Sequence, residues 1–279
     1  MDAECLQYAL TEAERLHFAE QGYLIVKGAL TKEEVAKLEE ASERIWHEHM
    51  ANGLEPDQNL FPPNFIRQEQ VFINLVDHPQ TFPKVWALLN SWNIYLYHSH
   101  LGTTPQEGPV GTEMKNPLGF HQDSGRVNIE LEFSPRPMLS LKIGYWLSDV
   151  SEEGRGNFYI VPGSHLDDKL HRPTDNNPAA AIPVRAKIGD AVFFDRRLWH
   201  ARSPNYSPHV RKVLFLGYSY RWLRTKDDMN IRPDLLAACA PIRRQLLGQG
   251  SNCNGFFSPK DEDVPLKLWV GEHLDEVMA

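Results

Sequence analysis

Leu139-Ser140-Leu141-Lys142-Ile143-Gly144-Tyr145-Trp146-Leu147 reads as a buried strand, a short apolar run between stretches that favour turns. It is one of a series. From Ile94 onward such runs, roughly four to eight residues long, alternate with Gly, Pro and Asp clusters, as in an all-β sandwich or barrel. The expected strands are Ile94 to His100, Gly119 to His121, Leu139 to Leu147, Asn157 to Val161, Ile182 to Arg185, Ala191 to Asp195 and Lys212 to Tyr220. Turns at Glu153-Gly154, Pro162-Gly163 and Gly189-Asp190 separate them.

On either side the periodicity is helical. Thr11 caps a helix to Glu20, with Glu14 completing a capping box and Gly22 ending it. Tyr23 to Val26 is a short strand. Thr31 caps a second helix, in which Val35, Leu38, Ala41, Ile45 and Trp46 recur at helical spacing. Pro79 to Asn90 and Leu235 to Leu247 read as further helices. With no repeat, linker or low-complexity tract, the expected organisation is one domain over residues 1–279, a β core at about 94–222 with helical flanks.

At 279 residues the chain can bury a sizeable core, and its formal net charge of -8 argues against nucleic acid or an anionic membrane as main partner. Cys5, Cys239 and Cys253 are an odd set with no C-x-x-C pair, which reads as reduced thiols in a cytoplasmic protein. The Met-Asp-Ala-Glu-Cys start lacks the flank and apolar run of a secretory signal, and no stretch approaches the roughly 18 apolar residues of a membrane span. Oligomeric state is left open.

His121-Gln122-Asp123, followed by His200 after Arg197-Leu198-Trp199, carries the chemistry. Residues two apart on a strand share a face, so His121 and Asp123 can serve one metal while Gln122 points away. Two imidazoles and one carboxylate are the set that holds non-haem Fe(II) and leaves positions open. Taken singly, the H-x-D string also fits a solvated loop, and Trp199-His200 a packed aromatic with a satisfied core histidine. Arg211, eleven positions after His200, can grip a carboxylate through two parallel hydrogen bonds, or be an ordinary strand-edge arginine.

Together these residues resemble the phytanoyl-CoA dioxygenase family of Fe(II)- and 2-oxoglutarate-dependent oxygenases. The resemblance runs through Phe18 to Val26, Gly119-Phe-His-Gln-Asp123, Gly156 to His165, Gly189 to Asp195 and His200, with Asn205 and Arg211 at the family's offsets. It implies a double-stranded β-helix, a jelly roll of cupin-like type, with His121, Asp123 and His200 on iron. It also implies that Arg211 pairs with the distal carboxylate of 2-oxoglutarate and Asn205 lies in the connecting loop, so that Asn205 joins Arg211 as a cosubstrate-site candidate. O2 is the co-oxidant. Where many relatives carry a small hydroxyl residue two positions after the distal His, this chain has Arg202, then Ser203. Asp123 favours hydroxylation over halogenation.

Lys142 is expected mid-strand on the face of Gly144 and Trp146, where a buried ammonium needs an anion, either the cosubstrate or a core acid. Lys115, Arg126 and Gln122 are candidate contacts to the substrate; the two cations either meet an anionic small molecule or pair with surface acids. The mouth is expected from Asn52 to Arg67, Thr103 to Pro117, Ser124 to Met138 and His165 to Pro178. The expected activity is hydroxylation of a small molecule with release of succinate and CO2. Desaturation, cyclisation or bond cleavage with the same cofactors, and a non-catalytic metal- or ligand-binding jelly roll, are the alternatives.

Overall fold

A computed structural model of the chain describes residues 1–123, 125–131, 134, 136–167, 174–250 and 259–274. Its first elements are α1 (Glu12–Gln21), β1 (Tyr23–Val26), α2 (Lys32–Ala51), α3 (Gln70–Ile73) and α4 (Phe82–Leu89). The middle of the chain supplies β2 (Ile94–Thr104), α5 (Gly125–Glu130), β3 (Ser140–Trp146), β4 (Phe158–Ile160), β5 (Ile182–Val184), β6 (Ala191–Asp195), β7 (His200–Arg202) and β8 (Arg211–Tyr220). Three helices follow, α6 (Pro233–Ala237), α7 (Pro241–Leu246) and α8 (Pro265–His273).

Local chemistry sets many of these boundaries. Thr11 and Thr31 each close a full capping box, with Glu14 and Glu34, which satisfies backbone donors at the starts of α1 and α2. Gly22 ends α1 at φ 80°, a left-handed conformation that glycine adopts without cost. The helix expected over Leu235 to Leu247 is instead α6 and α7, because Pro241 cannot continue a preceding helix and starts a new one. Gly119 to His121 forms no strand beyond a single bridge from His121 to His200. No helix among the described residues is long and apolar enough to cross a membrane.

The strands form a five-stranded sheet, β1-β6-β3-β8-β2, and a three-stranded sheet, β5-β4-β7. Neither closes among the described residues, and more of those residues lie in helices than in strands. The expected mainly-β jelly roll is thus corrected to a mixed α/β fold with two open sheets. The physical reason is that apolar alternation marks a strand but not its partners. β4, β5 and β7 are each only three residues long, and the outer edge of β2 is met by loop bridges from Leu60 and Pro63 rather than by another strand.

Alternation along β3 then separates two cores. Leu141, Ile143 and Tyr145 join Leu38, Ile45, Phe82 and Trp86 of α2 and α4. Trp146 faces the other way, into a cluster with Phe158 of β4, Phe194 of β6 and Phe215 of β8. Lys142 shares that second face, its Nζ 5.9 Å from the ring centres of both Phe194 and Phe215. The functional groups gather at this aromatic wall between the sheets.

Candidate metal centre

His121 and His200 are brought together by their backbones, each N–H donating to the other's carbonyl at 2.9 Å. Their rings lie 4.4 Å apart between centres. Beyond His121 the chain turns, and Asp123 N–H donates to the Arg196 carbonyl at 2.8 Å. One ligand atom from each of His121, Asp123 and His200 then falls within 4.8 Å of the others. The H-x-D pair and distal histidine thus converge.

The ring protons suit metal binding. His121 Nδ1 lies 3.0 Å from the Gly119 carbonyl and His200 Nδ1 2.8 Å from that of Leu198. A carbonyl only accepts, so each Nδ1 donates and each Nε2 keeps a lone pair. Burial pushes His200 down to about 4, with Asp123 opposing, so its ring is neutral near pH 7, as a metal ligand must be. Burial by itself would raise the Asp123 carboxyl, but Lys142 and the two histidines outweigh it and hold the group well below the usual carboxylate range. Lys142 Nζ stands 2.9 Å from Asp123 Oδ2. The anion that Lys142 needed is this core acid.

Arg211, the first residue of β8, is buried, and its Nε has no hydrogen-bond partner among the described residues. Burial draws its guanidinium down to about 9, with Arg202 reinforcing and Glu107 opposing, which leaves it cationic at neutral pH. A buried cation with an orphaned donor is costly unless an anion arrives. Two glycines make its space: a Cβ on Gly102 would stand 3.2 Å from Nη1, and one on Gly156 only 2.8 Å from Cδ. His121, Asp123, His200, Lys142 and Arg211 all line one cavity of about 650 Å³. This donor set fits iron, and the unsatisfied guanidinium fits a dicarboxylate cosubstrate.

Other sequence candidates lie elsewhere. The buried Asn205 uses its amide on the Thr104, Pro105 and His209 carbonyls, and its Oδ1 accepts from Ser207, so it braces the loop before β8. Arg126 is exposed on α5 and pairs with Glu130 at 2.5 Å, Lys115 is exposed, and Gln122 donates to the Arg197 carbonyl. None of these three lines the cavity. Arg202 does, with its charge met by Glu107 at 2.6 Å. Of the expected mouth segments, Asn52 to Arg67 contributes Phe61 and Pro63; parts of Ser124 to Met138 and His165 to Pro178, like Cys253, lie outside the described residues. Sequence reasoning missed His98, His100, Lys226 and Asp227, which also line the cavity. The alternation His98-Ser99-His100 was the available signal.

Comparison with known proteins agrees with this chemistry. The family model described as phytanoyl-CoA dioxygenase (PhyH) matches residues 18–213. Dioxygenase af480 of Aspergillus fumigatus is 25% identical over 251 residues, 85% of this chain and 76% of that protein. Dioxygenase cdmD of Talaromyces verruculosus is 24% identical over 133 residues, 46% of this chain and 43% of that protein. Among solved structures, HygX from Streptomyces hygroscopicus with nickel and 2-oxoglutarate bound gives a TM-score of 0.62 at 17% identity, over 81% of this chain and 94% of that one. The non-heme alpha ketoglutarate dependent carbocyclase SnoK from nogalamycin biosynthesis gives 0.58 at 22% identity, over 79% and 87%. The epimerase SnoN from the same biosynthesis gives 0.55 at 20% identity, over 79% and 85%. These structural likenesses are likenesses of fold. The family match spans most of the chain and includes His121, Asp123, His200 and Arg211, so this chain belongs to the phytanoyl-CoA dioxygenase family and is an Fe(II)- and 2-oxoglutarate-dependent oxygenase.

Proposed function

We propose that His121, Asp123 and His200 hold the iron, that Arg211 receives the distal carboxylate of 2-oxoglutarate, and that a small molecule in the same cavity is oxidised by ring formation or desaturation. The observation that carries the reading is the buried, unsatisfied Arg211 sharing one cavity with a His-Asp-His cluster. When bound, iron and 2-oxoglutarate supply the oxidising power from dioxygen, with succinate and CO2 as coproducts. The two Nε2 lone pairs and the Asp123 carboxylate would hold the metal, and Lys142, 2.9 Å from Asp123 Oδ2, would help to orient that carboxylate. Phe158, Phe194 and Phe215 limit water around the reacting centre. Asn205 holds the loop that precedes Arg211, and the whole of residues 1–279 works as one catalytic unit.

The similarity in fold to a carbocyclase and an epimerase favours these outcomes over simple oxygen insertion. Hydroxylation is the second reading, and the carboxylate of Asp123 favours it over halogenation. The first test has two parts: without oxygen, the protein with Fe(II) and 2-oxoglutarate develops a weak visible charge-transfer band that His121→Ala loses, and in air His121→Ala also loses iron-dependent succinate formation. A His121→Ala protein with unchanged band and turnover would remove His121 from the metal. Mass analysis of the product separates the outcomes, since desaturation, ring closure or epimerisation leaves no added oxygen atom.

A further inference from the structure

Beside the metal cluster stands a second set of titratable groups that the oxidation as described does not use. His98 and His100 lie on the same face of β2, two residues apart, and their rings stack with centres 5.0 Å apart. His98 Nδ1 is 2.6 Å from Asp227 Oδ1, and His98 Nε2 is 3.0 Å from His100 Nδ1. The other Asp227 oxygen accepts from Ser99 N–H at 2.7 Å and from the Ser99 hydroxyl at 3.3 Å. His100 in turn stacks on Phe215 of the aromatic wall, with centres 4.7 Å apart. All of His98, His100 and Asp227 line the cavity that holds His121, Asp123 and His200.

The hydrogen bonds determine where each proton sits. Burial would raise the Asp227 carboxyl, but His98 and Ser99 outweigh it, so Asp227 is ionised and only accepts. His98 must therefore donate from Nδ1. With His98 neutral, its Nε2 is a lone pair, which obliges His100 to donate from Nδ1 and leaves His100 Nε2 without a proton. Burial lowers both rings and favours this neutral arrangement; the nearby Lys142 and Lys226 act in the same direction, while Asp227 opposes at His98 and Asp123 at His100. No hydrogen bond engages His100 Nε2 among the described residues, and it is not among the atoms sealed from solvent.

We propose that Asp227, His98 and His100 form a relay that reads the substrate: His100 Nε2 accepts a hydrogen bond from a hydroxyl or N–H group and takes that proton when the group loses it. This rests on the reading that the substrate occupies the iron cavity. The transfer balances: the substrate's O–H or N–H bond breaks and a bond to His100 Nε2 forms, while the Nδ1 proton of His100 passes to His98 Nε2. His100 ends neutral with its proton on Nε2, and His98 ends as an imidazolium against the Asp227 carboxylate. The charge is thus held one ring away from the group that gave up the proton, next to its counter-ion. A substrate of this class, an alcohol, phenol or secondary amine, suits a ring closure in which an O–H or N–H is lost.

The test uses the full chain labelled with ¹⁵N-histidine and loaded with zinc(II) and 2-oxoglutarate, since closed-shell zinc keeps ring signals sharp. Ring-nitrogen spectra near neutral pH should show His98 and His100 both protonated at Nδ1, with His100 Nε2 bare; a proton on His100 Nε2 overturns the proposal. In Asp227→Asn the amide oxygen is claimed by Ser99 N–H, leaving the NH2 to face His98. Both rings should then move their proton to Nε2 together, whereas a change in His98 alone would mean that the two are not linked. Phenol, a one-donor probe, should shift the His100 Nε2 signal and bind about 3- to 10-fold more tightly than anisole, the ratio expected of one hydrogen bond. Equal effects of phenol and anisole, or none from either, remove the ligand-reading role. The first and third measurements need no variant. Failure of succinate formation would instead overturn the iron reading and leave these ring-proton positions as measured.

Discussion

At the scale of single residues, the site is built from groups whose usual freedom has been removed. His121 and His200 have each surrendered Nδ1 to a backbone carbonyl, and Arg211 has been taken out of water with Nε unpaired. The H-x-D spacing made two of the metal candidates legible, although the two converge through a turn at Asp123 and not through the extended chain that the spacing suggested. Arg211 was legible only in company with them. The relay was not, since His98 and Asp227 are 129 positions apart and nothing local marks them as partners. Lys142 was half legible: its face followed from alternation, but its choice of Asp123 over the cosubstrate depends on a turn at Asp123 that alternation does not describe. From the Arg211 geometry follows a prediction about its chemistry rather than its charge. Arg211→Lys keeps a cation and loses the paired donors, so the 2-oxoglutarate concentration that half-develops the visible band should rise about 10- to 100-fold, the worth of a charge-assisted hydrogen bond. Iron binding should be nearly unchanged. An unaltered 2-oxoglutarate titration would place its carboxylate partner elsewhere.

Elements translate those side chains into positions, and glycines at their close approaches decide how well. β1 and β6 span the residues their apolar runs announced, β3 is shorter than expected by one residue at each end, and β8 is longer by one at its start. These runs pair with long neighbours in the five-stranded sheet. Of the short strands, β4 and β5 lie within their expected runs, but β7, which carries His200, was not foreseen: it exists through its pairing with β4 and not through any apolar run of its own. Gly156 lies just before β4 at φ 71°, with the space of its missing Cβ taken by Arg211 Cδ at 2.8 Å. Gly156→Ala is strained in its backbone and crowds the guanidinium's stem, and we expect a stability loss of about 1–3 kcal/mol. Because the displaced group is Arg211, the same variant should weaken 2-oxoglutarate binding in the band titration while the iron content stays near that of the parent. A Gly156→Ala protein with lowered stability but unchanged 2-oxoglutarate affinity would show that Arg211 is positioned from β8 alone.

Over the whole molecule, helices cover one face of the large sheet and the small sheet covers the other, an arrangement in which polar groups are buried along with the core. Strand alternation could not report this, because closure depends on which distant edges meet, and here loop residues Leu60 and Pro63 meet the outer edge of β2 instead. One consequence is acid sensitivity arising from buried rings other than the metal ligands. His78, His98, His100 and His165 are each held below their ordinary value of 6.5, burial being the largest cause in every case. A ring with a depressed folded value binds more protons when the chain unfolds. Its contribution to stability is therefore complete above about pH 6.5 and drains away as pH falls toward the folded value. Glu14, Glu34 and Glu107 are also lowered: burial opposes this, but hydrogen bonds to Lys84 and Thr11, to Thr31 and His78, and to Arg202, Asn59 and the Asn205 backbone outweigh it. Their contribution is lost only further down, below their ordinary 4.5. Between 6.5 and 4.5 the imidazoles should dominate, and the unfolding free energy from denaturant titrations should fall with pH, by at most about 1.4 kcal/mol per pH unit for each ring. His78 approaches Glu34 at 3.1 Å on α2, away from the iron cavity. His78→Gln should lower stability at neutral pH and flatten this slope by up to one ring's share. A parent protein whose stability is level from pH 6.5 to 4.5 would mean that these rings do not stay neutral in the folded chain.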